Sequence, residues 1–418
     1  MNVDVVVVGA GPAGLSAAAE LRRLGIGSVL VADRETAAGG VPRHSFHTGY
    51  GLRDLHRVMT GPAYARALAA AAGTAGAELR LGTTVTGLGP GSVTLTSAAG
   101  IETVRAAAVL LATGCRERPR TARLVPGDRP AGVMTTGELQ QRVYLGDERR
   151  PGRALVIGAE HVSFSAAVTL EHAGARVVAL VTEHARQQSY AAFRLGAALR
   201  WRIPVWAGCA VRRIVGRRVA GGGLAGVEVT DVRTGAARFV PCDTVVFSGD
   251  WIPDHELARL AGLSMDPGTR GPAVDTALAT SAACVFAAGN LVHAAETADT
   301  AALSGRHAAR HIAAALGTGE PGARRPGARL PVLVAPPLRW ISPNVIGTPC
   351  VPPPLGRFVL RSADFRRAAR LEVRQDGRLL ARSRPARLIP ERPVHLDAGW
   401  LARVDPAGGP IRVTTGSA

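Results

Sequence analysis

The sequence predicts an α/β chain in which one strand–turn–helix–strand unit holds a second such unit inserted within it, followed by a small β-rich C-terminal domain. Three observations carry this reading. Residues 5–8 are apolar, run into Gly9-Ala10-Gly11-Pro12-Ala13-Gly14, and continue through a helix-like stretch at 15–24 to a second apolar run at 29–31 that ends in Asp33. The same order returns at residues 153–158, 164–173 and 176–181, ending near Glu183. Two further segments, 108–114 and 280–290, are apolar strand patterns that close on glycine, as when a chain leaves one sheet and re-enters it.

The opening segment is the most specific. Gly9, Gly11 and Gly14 stand in GxGxxG spacing between a strand and a helix, with Asp33 at the end of the next strand. Each glycine has its own physical role. Gly9 permits the turn, Gly11 lets backbone approach a pyrophosphate, and Gly14 lets the helix pack on the strand. The helix N-terminus adds free N–H groups and a partial positive charge. Asp33 is placed to accept hydrogen bonds from an adenosine ribose. Pro12, Ala13, Arg34 and Gly40 complete the candidate contacts around this loop.

In the second unit the turn reads Gly158-Ala159-Glu160-His161-Val162-Ser163, so Glu160 and Ser163 replace two of the three glycines. Glu160 puts a carboxylate where a pyrophosphate would lie, and like charges in a partly desolvated site repel strongly. The expectation is a retained fold with impaired dinucleotide binding; ordinary NAD(P)H docking there stays open as the alternative.

Composition narrows the function classes. The 418 residues suffice for two or three domains, and the formal charge of +18 comes from arginine alone, since the sequence contains no lysine. That bias suits a GC-rich coding sequence, and the basic runs are short and lack interleaved aromatics, so nucleic acid is not the expected partner. No leader is expected ahead of the first strand, no stretch reaches the length of a membrane span, and five scattered cysteines form no CxxC or metal-type spacing. The expectation is a cytoplasmic protein with no metal site and no membrane span.

Residues 317–357 are rich in proline and glycine and read as a surface linker. Beyond them, residues 371–381 alternate around Asp376-Gly377, a hairpin signal, and residues 393–396 and 411–413 supply short strands. The predicted boundaries are 1–118 with 251–316 for the first domain, 119–250 for the insertion, 317–357 for the linker and 358–418 for the tail. Stability or subunit contact is the plainest role for that tail.

Taken in order, GxGxxG with Asp33, Ala112-Thr113-Gly114 and 280–290 ending in Gly289-Asn290 resemble the flavoprotein reductase superfamily typified by glutathione and thioredoxin reductases. The resemblance covers roughly residues 1–316. It implies two Rossmann-like dinucleotide-binding domains, the second inserted in the first, and non-covalent FAD held at Gly9, Gly11, Gly14, Asp33, Ala112, Thr113, Gly114, Gly289 and Asn290. It also implies a helix opening near Thr297 that aims its N-terminus at the flavin. The redox cysteines of either disulfide-reductase branch are missing: Gly39-Gly40 is followed by Val41-Pro42-Arg43-His44-Ser45-Phe46-His47, with Pro42 and His47 at the cysteine positions of one branch.

Residues 40–44, 61–65, 130–137 and 249–257 narrow the resemblance to FAD-binding alpha subunits of hydrogen cyanide synthase, opine oxidase and dye-linked proline or hydroxyproline dehydrogenases. This implies a second flavoprotein subunit and a small iron–sulfur subunit as partners and a small-molecule substrate. The C-terminal cysteine cluster common in such relatives is absent from the sequence.

For catalysis, His44 and His47 are the candidates for proton transfer or substrate contact, with backbone-bonded loop histidines as the bland alternative. Arg43 is a candidate carboxylate clamp, and Glu296 either approaches the flavin or caps the following helix. His307 and His311, four apart, read as a solvated helix face. Three functions remain open: an FAD-dependent dehydrogenase or oxidase, or a subunit of one, acting on a small amine, amino acid or hydroxy acid; an NAD(P)H-dependent flavoprotein reductase; and a non-catalytic FAD-binding scaffold.

Overall fold

A computed structural model describes residues 1–191, 195, 202–217, 222–317 and 329–416. The chain divides into two compact units: Met1–Arg43, Thr48–Cys115 and Pro253–Ala418 form the first, and His44–His47 with Arg116–Ile252 form the second.

The first unit is built on a seven-stranded sheet. Strand Asn2–Val8 lies at its centre, parallel to Val29–Ala32 on one side and Gly100–Leu111 on the other. Val5, Val6 and Val7 are fully buried, because a parallel strand covered on both faces needs apolar side chains throughout rather than an alternating pattern. Glu78–Arg80 extends the sheet beyond Val29–Ala32, and the antiparallel strands Ser92–Ser97 and Thr84–Gly89 extend it beyond Gly100–Leu111. Strand Val285–Ala287 returns from the distant chain segment and pairs in parallel with Gly100–Leu111.

Helix Pro12–Arg23 follows the glycine turn, with Pro12 at its first position where no N–H is needed. It packs against helix Ala298–Gly317, and the two backbones approach so closely that a Cβ on Gly305 would collide with the Ala13 carbonyl. Leu15, Ala18, Ala308, Ala309 and Ile312 fill the same core.

The C-terminal part of this unit is β-rich, as the alternation predicts. Arg366–Gln375 and Arg378–Arg382 form the antiparallel hairpin, with Asp376 at φ 48° and Gly377 at φ 80°, the left-handed pair that a two-residue type I′ turn needs. The segment expected to be a linker is corrected from residue 329 onward; residues 318–328 lie outside the described part. Strands Leu330–Val334, Leu338–Ser342 and Val345–Ile346 all pair within the β domain. Val332, Leu338, Ile341 and Ile346 are core residues, so the apolar content outweighs the proline count there. Two layers result: a six-stranded sheet, and a three-stranded one ordered Leu338–Ser342, Arg357–Ser362, Val394–Asp397.

The second unit repeats the first on a smaller scale. Its five-stranded parallel sheet runs Val133–Thr135, Thr244–Phe247, Gly152–Ile157, Ala175–Thr182, Val205–Ala207, and strands Cys209–Gly216, Leu224–Asp231 and Ala237–Pro241 form a three-stranded antiparallel sheet. Helix His161–His172 follows the second glycine turn.

Gly14 has the tightest surroundings, since a Cβ there would strike the Gly9 carbonyl, while a Cβ on Gly11 would meet nothing within 4 Å. Gly14→Ala and Gly305→Ala should each lower stability by about 1–3 kcal/mol through overpacking. Gly11→Ala should leave the urea midpoint of the cofactor-free chain nearly unchanged, and urea denaturation of the three variants checks this.

Candidate functional site

In the first unit the carboxyl ends of four parallel strands stop level with one another: Val8 is opposite Ala32 and Leu111, and Ala287 is opposite Leu111. Ligands of open α/β sheets bind in the crevice outside such ends. Every candidate cofactor residue of the sequence lies on a loop leaving one of these strands or on the helix beyond.

Gly9 adopts φ +107°, and a Cβ on it would sit 2.5 Å from the Ala112 carbonyl, so the two loops touch through bare backbone. Gly40 packs a Cα of Gly11 at 3.0 Å from where its own Cβ would be. Gly289, at φ +70°, faces Ala13, and its N–H donates to Ser304 Oγ at 3.0 Å. Helix Pro12–Arg23 has Gly11 as its N-cap and no side-chain cap, which leaves its first N–H groups available to a ligand. Asp33 accepts the Ala10 N–H at 2.6 Å and the Glu35 N–H at 2.8 Å, fixing its carboxylate beside the turn. Arg34 pairs with Asp254 at 3.4 Å, while Thr113 Oγ1 donates to the Asp254 carbonyl and the Gly114 carbonyl accepts the Asp254 N–H. This cradle fits a pyrophosphate: open space at Gly11 and donors at a helix end with no side-chain cap.

Asn290 is committed to its own loop. Its Nδ2 donates to the Glu296 carbonyl at 3.2 Å and its Oδ1 accepts the Glu296 N–H at 2.9 Å, closing residues 290–296. Thr297 then precedes helix Ala298–Gly317, its carbonyl accepting the Ala301 N–H. Glu296 does not cap that helix. Its carboxylate meets Arg361 at 2.7 Å, both side chains 5% exposed, and Arg361 Nη2 also donates to the Ala295 carbonyl at 2.8 Å. Arg361 comes from the C-terminal β domain and lies 5.3 Å over the Trp340 ring, which in turn packs on His293. Burial holds the His293 imidazole down to about 4, so it is neutral near pH 7.

The second loop is filled from within. Glu160 is the N-cap of helix His161–His172, and its carboxylate accepts the Val162 N–H at 2.5 Å, the Ser163 N–H at 3.0 Å, Ser163 Oγ at 2.8 Å and Ser248 Oγ at 2.5 Å. A second buried acid, Glu117, accepts the Gly137 N–H at 2.6 Å at the start of helix Thr136–Tyr144. Burial pushes its carboxyl up to about 7, and the nearby Glu160 charge adds to the rise against the hydrogen bonds. Arg123 reaches the Ser248 and Gly249 carbonyls beside them.

The histidine candidates divide from the glycine loop. His44–His47 groups with the second unit, where Phe46 stacks on Tyr144 at 4.2 Å. His44 is buried and His47 half-buried. Arg43 reaches back to the Ala37 carbonyl at 2.8 Å and to Glu35. His307 is not on a solvated face: its ring donates to the Thr276 carbonyl at 2.8 Å, and burial lowers its pKa to about 4. Sequence reasoning missed Arg361, Trp340, His293 and Glu117. Only His293, three residues past Asn290, carried a positional signal.

Comparison with known proteins bears on the family and the fold. The family described as pyridine nucleotide-disulphide oxidoreductase matches residues 3–305. Hydrogen cyanide synthase subunit HcnB of Pseudomonas aeruginosa is 34% identical over 186 residues, which cover 42% of this chain and 38% of that protein. Its counterpart from Pseudomonas protegens is 30% identical over 185 residues with the same coverage. The matched part thus spans well under half the length of these relatives. Among solved structures, T. acidophilum thioredoxin reductase superposes with a TM-score of 0.64 at 24% identity, over 76% of this chain and 99% of that one. L-proline dehydrogenase from P. horikoshii gives 0.54 at 17% identity, over 77% of this chain and 57% of that one. At these identities the two structures bear on the fold alone.

The charged groups make two properties measurable. Arg361→Met strands a buried carboxylate and should cost about 3–5 kcal/mol, most of it recovered in Arg361→Met/Glu296→Leu; urea denaturation reads both. Glu117 is raised in the folded state, so its contribution is whole below about pH 4.5 and is lost as pH rises through about 7. Glu117→Gln should therefore remove a decline in stability across that window, measured as the urea midpoint against pH.

Proposed function

The chain belongs to the pyridine nucleotide-disulphide oxidoreductase family, and from that premise we propose that it is a dehydrogenase or oxidase, or the FAD-binding subunit of one, acting on a small amine, amino acid or hydroxy acid. Membership makes it an FAD-dependent oxidoreductase. The finer reading rests on one observation: the first glycine loop presents an uncapped helix end, whereas the second is occupied by the Glu160 carboxylate. One dinucleotide site is open and the other is closed by the chain itself.

Gly9, Gly11, Pro12, Ala13 and Gly14 would hold the FAD pyrophosphate, with Asp33 and Arg34 at the adenosine end and Gly40, Ala112, Thr113, Gly114, Gly289, Asn290 and Thr297 along the rest. Non-covalent FAD supplies a hydride acceptor at its flavin ring. The N-terminus of helix Ala298–Gly317 would offer partial positive charge to the bound ring. A thiol route has no support in the residues, because Pro42 and His47 stand where one branch has cysteines and no CxxC occurs in the sequence. His44 and His47 remain candidate catalytic residues.

The HcnB relatives are named as subunits, which supports a multi-subunit assembly here. We place a second flavoprotein subunit and a small iron–sulfur subunit as its partners. The five cysteines are free, which suits a reducing, cytoplasmic setting, and no helix among the described residues is long and apolar enough to cross a membrane. The competing reading, an NAD(P)H-dependent reductase, draws on the intact five-stranded sheet of the second unit.

Anaerobic addition of NADH or NADPH to the purified yellow protein, followed at about 450 nm where oxidised flavin absorbs, separates the two. An unchanged band with both is expected. Prompt bleaching would make the chain a pyridine-nucleotide-dependent reductase.

A further inference from the structure

A cavity in the first unit lies between helix Ala298–Gly317 and the three-stranded sheet of the C-terminal β domain. The sheet side is set by strand Arg357–Ser362. Phe358 and Leu360 are fully buried in the β core, so the alternation of the strand turns Arg357, Val359 and Arg361 the other way. His395, opposite Val359 on the next strand, also lines the cavity. Leu278, Val292, Pro343 and Val359 give the cavity apolar walls, while His293, Thr300 and Arg357 give it polar ones.

The polar side carries buried nitrogen atoms that the fold leaves unmet. Arg357 Nε and His293 Nδ1 are buried with no hydrogen-bond partner. Arg361, only 4% exposed, has Nε and Nη1 in the same condition, its Nη2 alone being tied to Glu296 and Ala295. Arg53 reaches Thr300 Oγ1 at 3.3 Å. The His395 imidazole is held below its usual range by burial first, and it also feels Arg357, Arg361, Arg53 and the opposing Glu296, so these charges share one neighbourhood. The carboxylates nearest these groups are already engaged. Glu296 is already committed to Arg361, and Asp299 accepts the Arg53 backbone N–H at 3.0 Å.

Buried donors without acceptors are costly, and a guanidinium recovers most when an oxyanion meets its planar edge. The walls ask for an aliphatic body behind that oxyanion. We propose that this cavity binds a small monocarboxylate with an aliphatic body, its carboxylate received by the Arg357 guanidinium. The proposal does not depend on what the flavin oxidises.

The test is calorimetric titration of the full FAD-loaded chain with sodium propionate, its neutral isostere propionamide and inorganic phosphate, at matched ionic strength. Saturable propionate binding at least tenfold tighter than propionamide is expected, and tighter than phosphate. Arg357→Gln, at a half-buried position, should weaken propionate at least tenfold while the thermal midpoint stays within a few degrees. Equal weak responses to propionate and propionamide, a preference for phosphate, or full propionate affinity in a folded Arg357→Gln would each overturn the proposal.

Discussion

A helix N-terminus leaves several backbone N–H groups without intrahelical partners, and something acidic or solvent must take them. This chain meets that requirement twice, at corresponding points of two βαβ units. After Gly9 the N-cap is Gly11, with no side chain to offer, and the donors remain open. After Gly158 the N-cap is Glu160, whose carboxylate takes two backbone N–H groups and two serine hydroxyls. The replacement of the third glycine by Ser163 fits this arrangement, since the Ser163 hydroxyl is one of those partners. The two N-caps thus distinguish an open helix end from a self-satisfied one within the same kind of βαβ unit.

The β-rich tail enters the same account through electrostatics. Arg361 anchors the loop that leads into helix Ala298–Gly317 by holding both the Glu296 carboxylate and the Ala295 carbonyl. Asn290 closes the same loop from its other end. The tail therefore braces the start of that helix, a more specific role than bulk stability.

Much of this was legible in the sequence, and the reasons are local. The strand–glycine–helix–strand units announce themselves because turn, period and terminal acid lie within thirty residues, and Asp376-Gly377 reveals its hairpin because its left-handed backbone suits few other pairs. Glu160 was readable as an intruder by alignment with the first loop. Its hydroxyl partner Ser248 was not, because eighty-eight residues separate the two. The pairing of Glu296 with Arg361 spans two domains and has no periodic signature. Residues 329–357 misled for a different reason: prolines at strand starts and turns dominate the composition, while Val332, Trp340 and Ile341 pack into the core.

The central claim is that Glu160 closes the second dinucleotide site. Calorimetric titration of the FAD-loaded chain with NADH, beside the Glu160→Gly/Ser163→Gly variant, tests it most directly. The account predicts no saturable heat for the unaltered chain and measurable binding once the carboxylate is removed. Micromolar binding by the unaltered chain, undiminished relative to the variant, would contradict it.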